Sequence, residues 1–205
     1  MSVRGLLVAS AILAALAALA IVTIDEPAAR WLGARDTWPA AWNTGIAWFE
    51  YGAGIEPWRW AGVVALAVLA AGCLALRRVE LARAFVYIDL VHLASRLLMM
   101  WMKTATGRLR PWEWLRHAGA TFGQGGASFP SGHVMIFASL ALPAAVVWPR
   151  LRWLAIAVTA YACLARLAVD AHFVSDVLAG AALASAITAL LAPIVRWPTP
   201  AASRR

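Results

Sequence analysis

The sequence predicts an all-α polytopic membrane protein: a six-transmembrane-helix bundle in one domain over residues 1–205, with its active site at the outer membrane face. Three observations lead there. Apolar residues make up 63% of the chain and charged residues 14%, against roughly 45–50% and about 25% in soluble domains. The apolar excess lies in long runs that approach the ~20 residues needed to cross hydrocarbon. The length of 205 residues fits one compact helical domain and leaves no room for a second.

The elements follow from these runs, at 6–24, 60–76, 81–102, 134–148, 153–169 and 177–195. The first has a short basic start at Arg4 and 19 apolar residues, longer than the roughly 7–15 of a signal core, so a retained anchor is expected. A cleaved signal peptide is the rival reading, because A-A-R follows Pro27. Residues 25–59 carry Trp31, Trp38, Trp42, Trp48, Phe49, Tyr51 and Trp58, spaced for short interfacial helices. An aromatic belt at headgroup level is the plain account of them, and a lid or wall guiding a lipid tail is the functional one. The third run holds Asp89, His92 and Arg96, which with Lys103 stand at offsets of 0, 3, 7 and 14 on one helical stripe. Such a stripe must face protein, and a buried Asp89–Arg96 ion pair, with a proton path as the alternative, is expected. The fourth run is short and contains Pro143, a candidate kink. Cys73 and Cys163 each lie inside an apolar run, with neither a disulfide nor a metal-ligand pattern around them.

Six crossings put both termini on one side. With the N-terminus inside, nine arginines fall on inner segments: Arg4, Arg77, Arg78, Arg83, Arg150, Arg152, Arg196, Arg204 and Arg205. The outer segments carry seven cations: Arg30, Arg35, Arg59, Lys103, Arg108, Arg110 and Arg116. The bias is small, but it grows once the outer cations with a chemical job are set aside, and it favours cytoplasmic termini. The net charge of +8 is spread along the chain rather than clustered, which argues against nucleic acid. Only one of the 18 cations is lysine, and the planar guanidinium suits headgroups and phosphate oxygens.

The chemistry-bearing residues gather at the outer ends of the runs. Lys103 and Arg110-Pro111 follow the third, Ser131, Gly132 and His133 open the fourth, Arg166 is near the end of the fifth, and His172 and Asp176 lead into the sixth. Three cations converging without matching acids repel one another unless an anion with several oxygens sits between them, and phosphate is the natural candidate. His172 and Asp176 are four apart, so a helix stacks them on one face, where the carboxylate fixes the tautomer and leaves the other ring nitrogen free. Taken singly, His133 fits a helix cap and His172–Asp176 a structural pair; the joint pattern with three spaced cations favours a site. A zinc site built from His133, His172 and Asp176 is opposed by the nearby cations. Arg108 stands two residues before Arg110 as an additional phosphate contact, while Trp112, Glu113, Trp114, Arg116 and His117 read as interfacial residues or headgroup contacts.

Lys103-x6-Arg110-Pro111, Pro130-Ser131-Gly132-His133 and Arg166-x5-His172-x3-Asp176 resemble the three signature motifs of the type 2 phosphatidic acid phosphatase superfamily, within residues 103–176. The resemblance, closest to the membrane lipid phosphate phosphatase branch, implies roles. His172 would attack phosphorus and form a phosphohistidine, Asp176 would orient it, and His133 would protonate the leaving oxygen and then activate water. Lys103, Arg110 and Arg166 would clamp phosphate oxygens, with Ser131 and the Gly132 N–H as further donors. The scheme requires no metal or other cofactor. One departure stands out: the third motif commonly opens with Ser before Arg, and here that position is Ala165. The resemblance further implies a bacterial inner-membrane enzyme facing the periplasm. Undecaprenyl pyrophosphate is the leading substrate, with phosphatidylglycerol phosphate, phosphatidic acid and lipid A as alternatives. A non-hydrolytic lipid-phosphate carrier is the alternative of another class. The bilayer and a lipid phosphate are the expected partners; neither nucleic acid nor an obligate protein partner is inferred.

Overall fold

The computed structural model describes residues 1–34, 40–52, 58–117 and 119–196, and among these there are helices and loops but no strand. Helix α1 (Val3–Thr23) runs from an N-cap at Ser2, whose hydroxyl accepts the Gly5 N–H. Ile24 alone separates it from α2 (Asp25–Gly33), and α3 (Ala40–Gly52) belongs to the same interfacial segment. Then come α4 (Ala61–Ala75), α5 (Val79–Thr106), α6 (Pro111–His117), α7 (Gly132–Val147), α8 (Arg152–Ala168), α9 (Val174–Leu191) and the short α10 (Pro193–Arg196). A single 3-10 turn, Pro149–Leu151, joins α7 to α8.

Every apolar run of the sequence is a helix, and 25–59 supplies two shorter ones, as its spacing predicts. Among the described residues four helical stretches are long and apolar enough to cross a membrane: Val3–Thr23, Val79–His117, Pro149–Ala168 and Val174–Val195. α4 and α7 are apolar but only 15 and 16 residues long. At 1.5 Å per residue they cover about 22–24 Å, short of a ~30 Å hydrocarbon layer.

The bundle is organised around α9, which packs against α1, α5, α7 and α8. Small residues make this possible. Gly180, Ala181, Ala182 and Ala184 are buried along α9, and Ala17 and Ala20 are buried on α1. Such residues let helix backbones approach closely where lipid removes the hydrophobic drive between helices. Larger side chains fill the gaps: Leu6 and Leu142 in one cluster, Val134, Phe137 and Val177 in a second, Tyr87, Ile88 and Val91 in a third. The opposite faces expose Leu7, Ile12 and Leu19 on α1, Val68 on α4, Leu97 and Trp101 on α5, and Leu164 on α8. An apolar coat of this kind suits contact with lipid tails.

Successive long helices alternate in direction. The Met1 amino group donates to Ala145 O near the far end of α7, while the end of α5 and the starts of α7 and α9 meet at the opposite pole. The expected Asp89–Arg96 ion pair does not form. The two residues are two turns, about 10 Å, apart on one helix. Arg96 instead lays its guanidinium 5.3 Å from the Trp60 ring, and His92 Nδ1 meets Ser139 Oγ at 2.8 Å. Arg35, Trp38, Arg204 and Arg205, used in the belt and orientation readings, lie outside the described residues.

Candidate functional site

Local chemistry explains how the pole is built. α5 ends at Gly107, whose φ of +52° suits a residue without Cβ. The glycine-rich stretch after α6 folds back on this turn. Gln124 N and Gly126 N donate to Gly107 O at 2.9 and 3.0 Å, and Ser128 N donates to Arg108 O at 2.9 Å. Ser128 is thereby delivered beside α9. α7 begins at Ser131, whose backbone N–H donates to Asp176 O at 3.0 Å and ties the starts of α7 and α9 together.

His172 sits in the turn between α8 and α9 and is 2% exposed. Its Nδ1 faces acceptors, Asp176 Oδ2 at 3.4 Å and Ser128 Oγ at 3.3 Å. Ser128 spends its proton on Asp176 Oδ2 at 2.5 Å, so its oxygen is free to accept from the imidazole. These partners assign the proton to Nδ1 and the lone pair to Nε2. Burial, against the opposing pull of Asp176, holds the His172 imidazole down at about 4, so the ring is neutral at pH 7.

Asp176 is fully buried and fully engaged. Its Oδ2 also accepts the Phe173 N–H at 2.9 Å, and its Oδ1 accepts from Arg108 Nη1 at 2.6 Å. Arg108 donates through the same nitrogen to Ser175 Oγ at 2.6 Å and through Nη2 to Asp25 Oδ2 at 2.7 Å. Asp25 closes the network: its Oδ1 accepts the Ser175 N–H at 2.9 Å and its Oδ2 accepts the Ser175 hydroxyl. The guanidinium lies between Phe122 and Phe173, 4.4 and 4.2 Å from their centroids. Arg108 is 1% exposed and committed to carboxylates, which removes it as a phosphate contact.

The remaining cations lie within reach of the two histidines. Lys103, Arg110 and Arg166 lie within electrostatic reach of one another; His133 feels Arg166 and Arg110, and His172 feels Lys103 and Arg166. Lys103 Nζ donates to Ala127 O, and Gly132 lies against this side chain: a Cβ there would stand 3.6 Å from Lys103 Cε and 2.8 Å from Met99 Sδ. Arg110 contributes its backbone N–H to Glu113 Oε2 at 2.7 Å. Ser131 Oγ and Arg166 Nε are buried without a partner. Unspent donors next to three cations are what an oxyanion ligand would engage.

The structure therefore brings together His133, His172, Asp176, Lys103, Arg110, Ser131, Gly132 and Arg166 at one pole. Sequence reasoning missed four of their neighbours: Asp25, Glu50, Ser128 and Ser175. Glu50, on α3, places Oε1 against His133 Nε2. Trp42, on the same helix, stacks on Tyr161 with centroids 5.5 Å apart. The interfacial segment thus reaches the site, while Trp31, Trp48, Tyr51 and Trp58 are exposed as a belt would be. Among the described residues no three His, Cys, Asp or Glu side chains converge as a metal ligand set.

A helical chain with an apolar coat and a pole of cations around two histidines defines a class: a membrane-compatible protein with a site suited to phosphate. The comparison with protein families agrees. Residues 83–200 match the PAP2 superfamily, more than half of the chain, and the protein belongs to that superfamily. Membership implies phosphatase chemistry on phosphate esters. No curated protein and no solved structure was similar enough to count as a match.

Proposed function

We infer that the protein is a lipid phosphate phosphatase acting through a phosphohistidine. The observation that carries this reading is His172: neutral, with Nδ1 turned to Asp176 and Ser128, and within electrostatic reach of Lys103 and of Arg166, which also reaches His133. Nε2 attacks phosphorus, and the N–P bond forms as the bond to the leaving oxygen breaks. His133 gives that oxygen a proton, with the Glu50 carboxylate as acceptor for the imidazolium. Water then attacks phosphorus, His133 takes its proton, and phosphate leaves as His172 is regenerated. Lys103, Arg110, Arg166, Ser131 and the Gly132 N–H carry the charge on the phosphoryl oxygens. No step calls on a metal or other cofactor.

The lipid part of the reading rests on the surroundings. An apolar groove of about 270 Å³ runs between α1, α5 and α9, with Ala14, Ala18, Met102, Phe129 and Leu183 on its walls. Met102 precedes Lys103 and Phe129 follows Ser128, so two of the wall residues are chain neighbours of residues at the site. Undecaprenyl pyrophosphate is the leading substrate; phosphatidylglycerol phosphate, phosphatidic acid and lipid A are the alternatives. All six apolar helices are taken to cross the bacterial inner membrane, with both termini cytoplasmic and the site periplasmic.

The test is phosphate release by purified protein across those four lipids, with and without EDTA and with vanadate as inhibitor. Release from at least one lipid, insensitive to EDTA and blocked by vanadate, is expected. Tight binding of a lipid phosphate without release would instead identify a carrier. A reporter fused at the C-terminus checks orientation, and a periplasmic signal would reverse the placement.

A further inference from the structure

We propose that Asp25, on α2, is a positioning residue for the candidate nucleophile, acting through Arg108 and Ser175 to fix Asp176 and preserve its negative charge. The inference rests on the reading of His172 given above. Asp25 lies outside the family-matched residues 83–200 and belongs to none of the three motifs. It is nevertheless 2% exposed and bound at both carboxylate oxygens.

The geometry divides Asp176 into two halves. Oδ2 serves the imidazole side, with Ser128, Phe173 N–H and His172 around it. Oδ1 is held by Arg108. Arg108 on its own would draw the electron density of Asp176 towards itself and leave less for the imidazole. Asp25 changes that balance. It accepts the second guanidinium nitrogen at 2.7 Å and, through Ser175, sits against the first turn of the helix that carries Asp176. The buried trio of Asp25, Arg108 and Asp176 therefore carries one net negative charge directed at His172. When His172 donates electrons to phosphorus it becomes cationic, and that charge needs a carboxylate not already neutralised.

Asp25 also fixes position. A guanidinium is a planar fork, and Phe122 and Phe173 confine its plane. Two carboxylates, one on each arm, determine its rotation within that plane and so the direction from which Asp176 Oδ1 is held. Since α2 follows α1 after a single residue, the packing of α1 on α9 sets where Asp25 stands.

The experiment uses the full-length protein in detergent micelles with dioctanoyl phosphatidic acid, following phosphate release. Asp25→Asn keeps the shape and removes the charge. The expected result is a kcat lower by about 10–100-fold, the size seen when groups that orient a functional residue are removed, with KM within about threefold. The acid limb of the kcat/KM profile should move to lower pH, because an unbalanced Arg108 makes protonation of His172 harder. A kcat within about twofold of the parent would overturn the proposal, as would a lower kcat with an unmoved acid limb, the mark of a structural role. If Asp25→Asn does not fold, Ser175→Ala takes its place: it removes the bridging hydroxyl and leaves the Asp25–Arg108 pair. A several-fold lower kcat with KM unchanged then supports the proposal, and parental kcat overturns it. His172→Ala is measured alongside. If that variant still releases phosphate, the nucleophile reading has failed; if it is inactive while Asp25→Asn is parental, only the present proposal has.

Discussion

Among the described residues two arginines are buried, and their surroundings differ. Arg108 meets a carboxylate on each arm of its guanidinium and lies close to the rings of Phe122 and Phe173. Arg96, in the middle of α5, has Trp60 beneath it and, like Arg108, a buried Nε without a partner. Its neighbours Asp89, His92 and Ser95 also leave one polar atom each unpaired. Both terminal nitrogens of Arg108 are bonded to carboxylates, so its cluster has the form of a charge-paired network and the Arg96 stripe that of a collection. The partners of Arg108 come from α2 and α9, distant in sequence, whereas the stripe on α5 draws on one helix. Closing a charge network took several elements converging from different directions; a shared helical face did not achieve it.

The sharpest way to break this comparison is to remove one histidine from each cluster. His172→Ala is expected to lower kcat for phosphate release by at least about 10⁴-fold, because it removes the nitrogen proposed to attack phosphorus. His92→Ala, which loses only the bond to Ser139, should stay within about tenfold of the parent. Equal losses would mean that the α5 stripe takes part in chemistry. Next in size is the pair of arginine substitutions. Arg108→Met strands two buried carboxylates and should destabilise the protein by about 3–5 kcal/mol, whereas Arg96→Met, with no ion pair to break, should cost about 1 kcal/mol. Thermal denaturation in detergent micelles measures both, and a reversed order would refute the distinction.

The pH dependence follows from His172. Its imidazole is held at about 4 in the folded protein, against about 6.5 for an unperturbed histidine. The neutral ring is present above the folded value, so kcat/KM should hold down to pH 5 and fall as pH drops through about 4. Stability should fall earlier. Between pH 6.5 and 4 the unfolded ring takes up a proton that the folded ring refuses, and melting scans across that range check the slope.

The smallest effect expected concerns Asp170, in the turn before His172. It has φ of +50°, a buried Oδ1 without a partner, and a carboxyl pushed up by burial to about 6. The folded state favours its protonated form, so this residue costs stability as pH rises through that value. Asp170→Asn keeps a side chain that tolerates positive φ and removes the charge. It should raise the melting temperature more at pH 8 than at pH 5, the difference being on the order of 0.5 kcal/mol.

Much of the fold was legible because apolar runs declare themselves: all six runs became helices, with ends within a few residues of those expected. The motif residues were legible because their spacing is local and their chemistry unusual for a membrane interior. The partners that complete the site were not. Asp25 is 83 residues from Arg108, and Glu50 is 83 from His133, separations at which no periodicity operates. Arg108 was misread because its distance from Arg110 suggested a shared ligand; burial between Phe122 and Phe173 turned it to a different task. Asp89 and Arg96 were mispaired because a helical stripe reports a common face but not whether two side chains can reach each other.

Gly180 shows how finely the pole is gauged. A Cβ at this position would stand 3.0 Å from Ser131 O and 3.3 Å from Val134 Cβ. Helix propensity alone recommends alanine there, by about 1 kcal/mol. Accepting it would wedge α9 away from α7 by a few tenths of an ångström, and the hinge of that wedge is the Ser131–Asp176 hydrogen bond. An engineer stiffening this protein for crystallisation should leave that glycine alone. The hydrogen atom it carries works as a shim, setting the distance between the second and third motifs.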